Sequence, residues 1–428
     1  MDRRRFLELA SIAGLGIAGA PLLGRADGSA SGNFGGGSRP TAAVDDDDYD
    51  GPLFVTVQAH GGWDPTLLCD PKAGLNNSYG EGDILTAGNL RYAPVAGAQA
   101  LFEAHYQRTV FINGVDTSTN AHDAGQRNCA SGRLGEGYPA LAAMVAGNGA
   151  PQRPMSFVSF GTYDRTAGLV APTRNGNDAR LAELSYPDRI DATSADSPTY
   201  HSETTHAVIR LAREKRNERA LAGQSLPRFR HTLDTLATAR LGSDGLKRLD
   251  EVLPDPAANS LHRQAQLVVA AYKARVGVAG NLFHSNFDTH SDHDNEQRAR
   301  MSELLGLVKF LWDEAERQAV ADKLVVLICS DFGRTPQYNA NNGKDHWSIT
   351  SMIAMGAGLP GNRVVGLTSS GHDAMSIDPA TGMASGDGIK ITPAHVHRGM
   401  RKVLGLEGTE VDTMFPLALD DSFDPFAA

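Results

Sequence analysis

Five apolar runs punctuate the chain, and each stops at a cluster of glycine or polar residues. They are Leu53 to His60, halted by Gly61-Gly62; Thr109 to Val115; Met155 to Phe160; Leu324 to Cys329; and Ser351 to Met355, which leads into Gly356-Ala357-Gly358. Runs this short and this continuously apolar predict strands of a parallel sheet covered on both faces. Between them the apolar period changes. Met301, Leu304, Leu305, Val308, Leu311 and Trp312 recur at three- and four-residue spacing, which predicts an amphipathic helix. Segments 207–222 and 261–274 read as helices as well. Strands alternating with helices predict a layered α/β/α domain with a mostly parallel central sheet. A mostly polar stretch at 174–204 reads as an insertion over that sheet, and there is no internal repeat.

The N-terminus has a different character. Arg3-Arg4, one spacer residue and Phe6-Leu7 form the twin-arginine export pattern. The mild apolar stretch from Leu9 to Gly24, interrupted by Gly14, Gly16, Gly19 and Pro21, falls short of a strong membrane span of about 20 residues. With Ala18-Gly19-Ala20 as a small-residue exit, residues 1–26 read as a removable signal peptide. Residues 27–52 follow as a flexible Gly/Ser/Asp linker. It carries Asp45 to Asp48 plus Asp50, an acidic run that reads as a solvated tract or, less simply, a calcium-binding one. The expectation is a periplasmic or secreted protein that meets the twin-arginine translocase during export. No later segment is apolar enough to be a stable span of the mature form. Residues 53–428 then form one large domain.

A formal charge of -10 argues against a nucleic-acid partner, which demands a basic face. Cys69, Cys129 and Cys329 are too few for a disulfide scaffold. Cys329 lies inside an apolar run and reads as a small buried hydrophobe, while Cys69 and Cys129 are free to pair or not in an oxidising compartment.

Ligand-type side chains gather where strands end, the place open α/β sheets put their sites. After the first strand comes His60-Gly61-Gly62-Trp63-Asp64, in which Asp64 either offers a carboxylate to a hard cation or caps the following turn. Asp288-Thr289-His290-Ser291-Asp292-His293-Asp294 packs two imidazoles and three carboxylates just before a helix. Such mixed O/N donors suit zinc, manganese or iron, although Asp294 or Asn295 also reads as an N-cap. Asp331, at the end of the most apolar strand, either binds metal or pairs with Arg334. Asp345 or His346 offers a further ligand before the fifth strand. No Gly-x-Ser-x-Gly elbow is present. Cys129-Ala130-Ser131-Gly132-Arg133 has Ser where the sulfatase formylglycine motif has Pro, so it is set aside.

In this order, the Gly-Gly-Trp-Asp turn, Phe287-Asp288-Thr289-His290-Ser291, Ser330-Asp331-Phe332-Gly333-Arg334-Thr335-Pro336 with Asp345-His346, and Ile391-Thr392-Pro393 leading to Val403-Leu404-Gly405-Leu406 resemble an exported bacterial family. It is catalogued as domain of unknown function 1501 and is similar to the alkaline phosphatase and sulfatase superfamily. The resemblance runs from about Phe54 to Leu406. It implies an alkaline-phosphatase-like fold and a divalent metal (zinc, manganese, iron or calcium) held by Asp64, Asp288, His290, His293, Asp331 and His346. It implies Ser118 or Thr119 as nucleophile with His122 as acid or base, each hydroxyl reading equally as an N-cap. Arg334 or Lys344 would hold an anionic group. The sequence departs from the pattern at Phe332, where superfamily enzymes carry His or Asn, and at the displaced hydroxyls.

The function so implied is an exported metal-dependent hydrolase of phosphate or sulfate esters, acting on a small anionic ester or a sulfated or phosphorylated glycan. The alternative is a non-catalytic envelope binding or assembly protein on a degenerate scaffold. Convergence of the six ligand candidates is the feature that separates the two.

Overall fold

The computed structural model describes residues 49–427, apart from 76, 162, 175–177 and 242. The expected signal peptide and almost all of the expected linker therefore lie outside the described residues. Eight strands form the central sheet: β1 (Leu53–Ala59), β2 (Thr109–Asp116), β3 (Phe157–Ser159), β4 (Pro172–Arg174), β5 (Ala279–His284), β6 (Leu324–Ser330), β7 (Ile349–Gly356) and β8 (Arg363–Val365). Their spatial order is β8-β2-β7-β6-β1-β5-β3-β4. Every neighbouring pair is parallel except β7, which runs antiparallel to both β2 and β6. All five expected strands are present, in a mostly parallel sheet within a layered α/β fold. The apolar pattern misses three strands, the short edge strands β4 and β8 and also β5, which lies directly beside β1 in the centre. Its Asn281 and flanking glycine interrupt the apolar run, so its burial is a product of its neighbours.

The side-chain period of two divides the strands between two cores. Val55 and Val57 of β1 and Val326 and Ile328 of β6 face one core, while Phe54, Val325 and Leu327 face the other. Four helices matter for that packing and for the site: α1 (Ala98–His105), α2 (His122–Ser131), α8 (Ser260–Lys273) and α9 (His293–Arg317). Helices α1, α8 and α9 cover the first core. The second lies under α2, α3 (Leu141–Gly149) and α10 (Pro393–Val403). In α9, the anticipated Met301, Leu304, Leu305, Val308, Leu311 and Trp312 are all buried. Between β4 and α8 the chain makes an excursion built from α4 (Asp178–Ser185), α5 (Glu203–Ala222), α6 (Pro227–Leu241) and α7 (Ser243–Val252).

No helix among the described residues is long and apolar enough to cross a membrane. All three cysteines are buried free thiols. Cys69 and Cys129 do not form the bridge left open above. Cys129 donates to the Ser330 carbonyl at 2.6 Å, tying α2 to the end of β6.

Candidate metal centre

Parallel strands deliver their following loops to one edge of the sheet. Here β1, β5 and β6 end at Ala59, His284 and Ser330, and α2 follows β2. Because β7 runs the other way, the segment before it, His346–Trp347, arrives at the same edge. That segment pairs antiparallel with Gly333–Arg334, which fixes His346 opposite Arg334.

Two overlapping sets of donors result, His60, His122 and Asp331 in one and His122, Asp288 and His346 in the other. The ligand atoms within each set lie within 4.8 Å of one another. Asp331 Oδ2 is 2.8 Å from His122 Nδ1 and 3.2 Å from His60 Nδ1, and it accepts the Gly61 amide at 3.1 Å. Gln58 Nε2 donates to its other oxygen. Asp288 Oδ2 lies 3.4 Å from His122 Nε2, and its Oδ1 is 3.0 Å from His346 Nε2 and 3.1 Å from His290 Nε2. The imidazole of His122 thus faces one carboxylate with each ring nitrogen.

Burial alone would push the Asp331 carboxyl up, but the contacts from His122 and His60 outweigh it and hold the group below its ordinary range. Burial of Asp288 is likewise outweighed, first by the Arg334 and His346 hydrogen bonds. The Asp331 contact raises His122. Both carboxylates are therefore ionised at neutral pH and ready to accept a cation.

The surroundings aim the donors. His346 Nδ1 is 2.8 Å from the Asn120 carbonyl and His290 Nδ1 is 3.0 Å from Asp345 Oδ1, leaving each Nε2 to point inward. The buried Phe332 ring sits 4.4 Å from the His346 ring and 4.9 Å from that of His122, forming an apolar wall behind both. Gly61 and Gly62 have φ of 122° and 90°, which only glycine adopts without strain. A side chain at Gly62 would meet the Phe332 ring. Gly125 lets α2 approach the Asp331 backbone so closely that an added Cβ would collide with its carbonyl.

Asp288, His290, Asp331 and His346, together with His122, meet in this cluster. Two other expected ligands do not. Asp64 and His293 occupy a separate, fully buried network in which Asp64 Oδ2 accepts from Lys344 Nζ at 2.7 Å and contacts His293 Nε2 at 3.0 Å. Asp64 Oδ1 caps the turn through the Thr66 amide and hydroxyl at 2.9 and 2.6 Å. Both oxygens of Asp64 are thus committed within this network, beside an ammonium that already supplies positive charge. Lys344 is equally committed and reaches no surface. Arg334, expected to hold an anionic group, turns inward. It is fully buried, and its guanidinium donates to the carbonyls of Gly61, Gly62, Phe287 and Lys344 and to Asp288 Oδ1 at 2.7 Å. It locks the site loops together and orients Asp288.

Ser118 is exposed with φ of 55°, and its amide donates to Asp116 Oδ1. Thr119 Oγ1 accepts from the Ala121 amide. Neither hydroxyl contacts the His and Asp cluster. His60 is the residue that sequence reasoning quoted but gave no role. The signal was its place, the first residue beyond a parallel strand.

The family model described as "Protein of unknown function (DUF1501)" matches residues 54–381. The chain belongs to this family. No curated protein matches the sequence. Among solved structures, this family member is similar to the phosphonate monoester hydrolase of Agrobacterium radiobacter, at 13% identity over 75% of this chain and 71% of that one, with a TM-score of 0.29. It is similar to the alkaline phosphatase of the Antarctic bacterium TAB5, at 10% identity over 73% and 94% of the two chains, with a TM-score of 0.33. A 2-O GAG sulfatase gives 10% identity, 84% and 72% coverage and a TM-score of 0.32. Overlaps this loose transfer no residue role.

Proposed function

We propose that the chain is a metal-dependent hydrolase of phosphate or sulfate esters, exported by the twin-arginine route as a signal peptide, a linker and one large domain. The observation that carries this reading is the convergence of His60, His122, Asp288, Asp331 and His346 at one sheet edge, with both carboxylates ionised and His346 oriented by the Asn120 carbonyl. The donor chemistry fits a divalent cation such as zinc, manganese or iron: imidazole nitrogens with two carboxylates, backed by outer hydrogen bonds. A bound cation there would supply Lewis-acid polarisation of an ester oxygen. Asp331 and Asp288 would balance its charge. His122, shared by both donor sets, would hold it or, if released, move a proton. Arg334 would keep Asp288 in place rather than touch substrate.

The test is elemental mass spectrometry of the purified protein beside hydrolysis of a panel of aryl phosphate, phosphonate and sulfate esters. Near-stoichiometric metal, and ester turnover that chelation abolishes and metal restores, support the reading. Absence of both would sink it.

One observation favours a binding or assembly role on the same scaffold. Ser118 and Thr119 do not reach the cluster, and Arg334 and Lys344 are spent internally. Stoichiometric metal with no turnover across the panel would select that second reading.

A further inference from the structure

Helix α10 carries a buried cation whose donors the chain satisfies only in part. Arg401 lies in the last turn of α10, where a positive charge suits the helix end, and it is 3% exposed. Its Nη1 donates to Asp412 Oδ1 at 2.9 Å and to the Phe415 carbonyl at 2.7 Å, which ties α10 to α11 (Glu410–Met414). Nε and Nη2 are buried as well, and neither meets an acceptor among the described residues. Those two nitrogens form the edge of a guanidinium that offers parallel N–H bonds to two oxygens of one oxyanion. Donors of a buried charged group are rarely left unpaired, because their desolvation is then uncompensated.

The local charges say what suits that edge. Asp412 is already committed, since its Oδ2 accepts the Gly408 amide at 3.0 Å while Oδ1 is taken by Nη1. Arg133 follows the Gly132 that ends α2; its guanidinium lies 4.7 Å from the Tyr138 ring and makes no ion pair with a described residue. Burial lowers the Arg401 guanidinium, the Asp412 contact raises it, and the nearby Arg133 charge lowers it further. Two guanidiniums thus share one carboxylate, and one positive charge is in surplus. A water molecule would satisfy the N–H groups and leave that surplus, whereas an oxyanion answers both. The locus is separate from the metal centre. His397, one turn before Arg401, donates through Nε2 to the Cys129 carbonyl at 2.8 Å, which sets this face of α10 against the C-terminal end of α2. His122 opens that helix, and its 10 residues put about 14 Å between the two ends.

We propose that Arg401 and Arg133 form a binding site for an inorganic oxyanion, phosphate or sulfate, distinct from the metal centre. Arg401 engages two of its oxygens through Nε and Nη2, and Arg133 supplies the second positive charge. Because Arg401 also joins α10 to Asp412 and Phe415, the bound anion braces the C-terminal segment against the end of α2.

The test is equilibrium dialysis of the full chain against radiolabelled phosphate and, separately, sulfate at fixed ionic strength. The protein is first chelated, so that a metal ion cannot hold the anion. One equivalent of at least one of the two should bind per chain. Arg401→Lys keeps the charge and a donor for Asp412 but loses the fork, and it should weaken binding by about tenfold or more. Arg133→Ala, at a half-buried position outside α10, should weaken it by about three- to tenfold, and it decides the matter if the first variant does not fold. No saturable binding to the parent, which means that water fills the edge, overturns the proposal. So does binding that either folded variant leaves unchanged, or binding that appears only when metal is restored, which places the anion at the metal centre.

Discussion

Replacing Lys344 by Met separates the buried network from the candidate metal centre. Lys344 Nζ and Asp64 Oδ2 are 2.7 Å apart and both side chains are fully buried. Methionine matches the lysine stem in length and fills the same volume, so the perturbation is mainly the loss of one buried positive charge. The Asp64 carboxylate, held well below its ordinary range despite burial by Lys344 and His293, would then be short of its main counter-charge. Removing one member of a buried pair costs about 3–5 kcal/mol. The contacts that remain to Asp64, from Thr66 and His293, place the expectation near the lower end, about 3 kcal/mol. The assay is urea unfolding followed by circular dichroism, comparing extrapolated stabilities at unchanged slope. An Asp64→Asn/Lys344→Met double variant removes the stranded charge and should recover at least half of the loss. Metal stoichiometry at saturating zinc should match the parent in both variants, because neither side chain belongs to the donor sets. A loss under 1 kcal/mol, or a folded Lys344→Met protein that no longer takes up metal, would refute the reasoning.

Three further outcomes are expected. Asp331→Ala should abolish stoichiometric metal uptake while leaving the far-ultraviolet spectrum intact, whereas His293→Gln should retain uptake; the reverse pattern would move the centre to the buried network. Gly125→Ala should lower stability by about 1–3 kcal/mol, read by thermal unfolding, because the new methyl group forces α2 away from the Asp331 carbonyl. His397 is fully buried and donates to the Cys129 carbonyl at 2.8 Å, and burial pushes its imidazole down to about 4. The unfolded chain takes up that proton near pH 6.5 and the folded chain only near 4, so stability present above 6.5 is lost as pH falls toward 4. The shift corresponds to about 3 kcal/mol, and a His397→Gln variant should show a flatter stability profile between those pH values.

Strand identity was legible in the sequence because burial on both faces leaves a one-dimensional signature. Leu324 to Cys329 and Ser351 to Met355 announce themselves whatever surrounds them. The same holds for α9, whose apolar stripe needs only helical spacing, and for the loops that carry ligand-type residues at strand ends. The central strand β5 escaped because Asn281 and Gly280 weaken its pattern, and its place beside β1 depends on a pairing across more than 200 residues of chain. Which ligands share a centre was beyond the sequence for a related reason. Asp64, Asp288 and Asp331 look alike in a linear reading, each an acid beyond a strand. Only the tertiary structure sends the Lys344 ammonium to Asp64 and the Arg334 guanidinium to Asp288, and leaves Asp331 to His60 and His122. Type and position of a side chain are local facts, whereas its charge partner is chosen by loops that meet only after the sheet has closed, and that choice separates a candidate metal ligand from a buried ion pair.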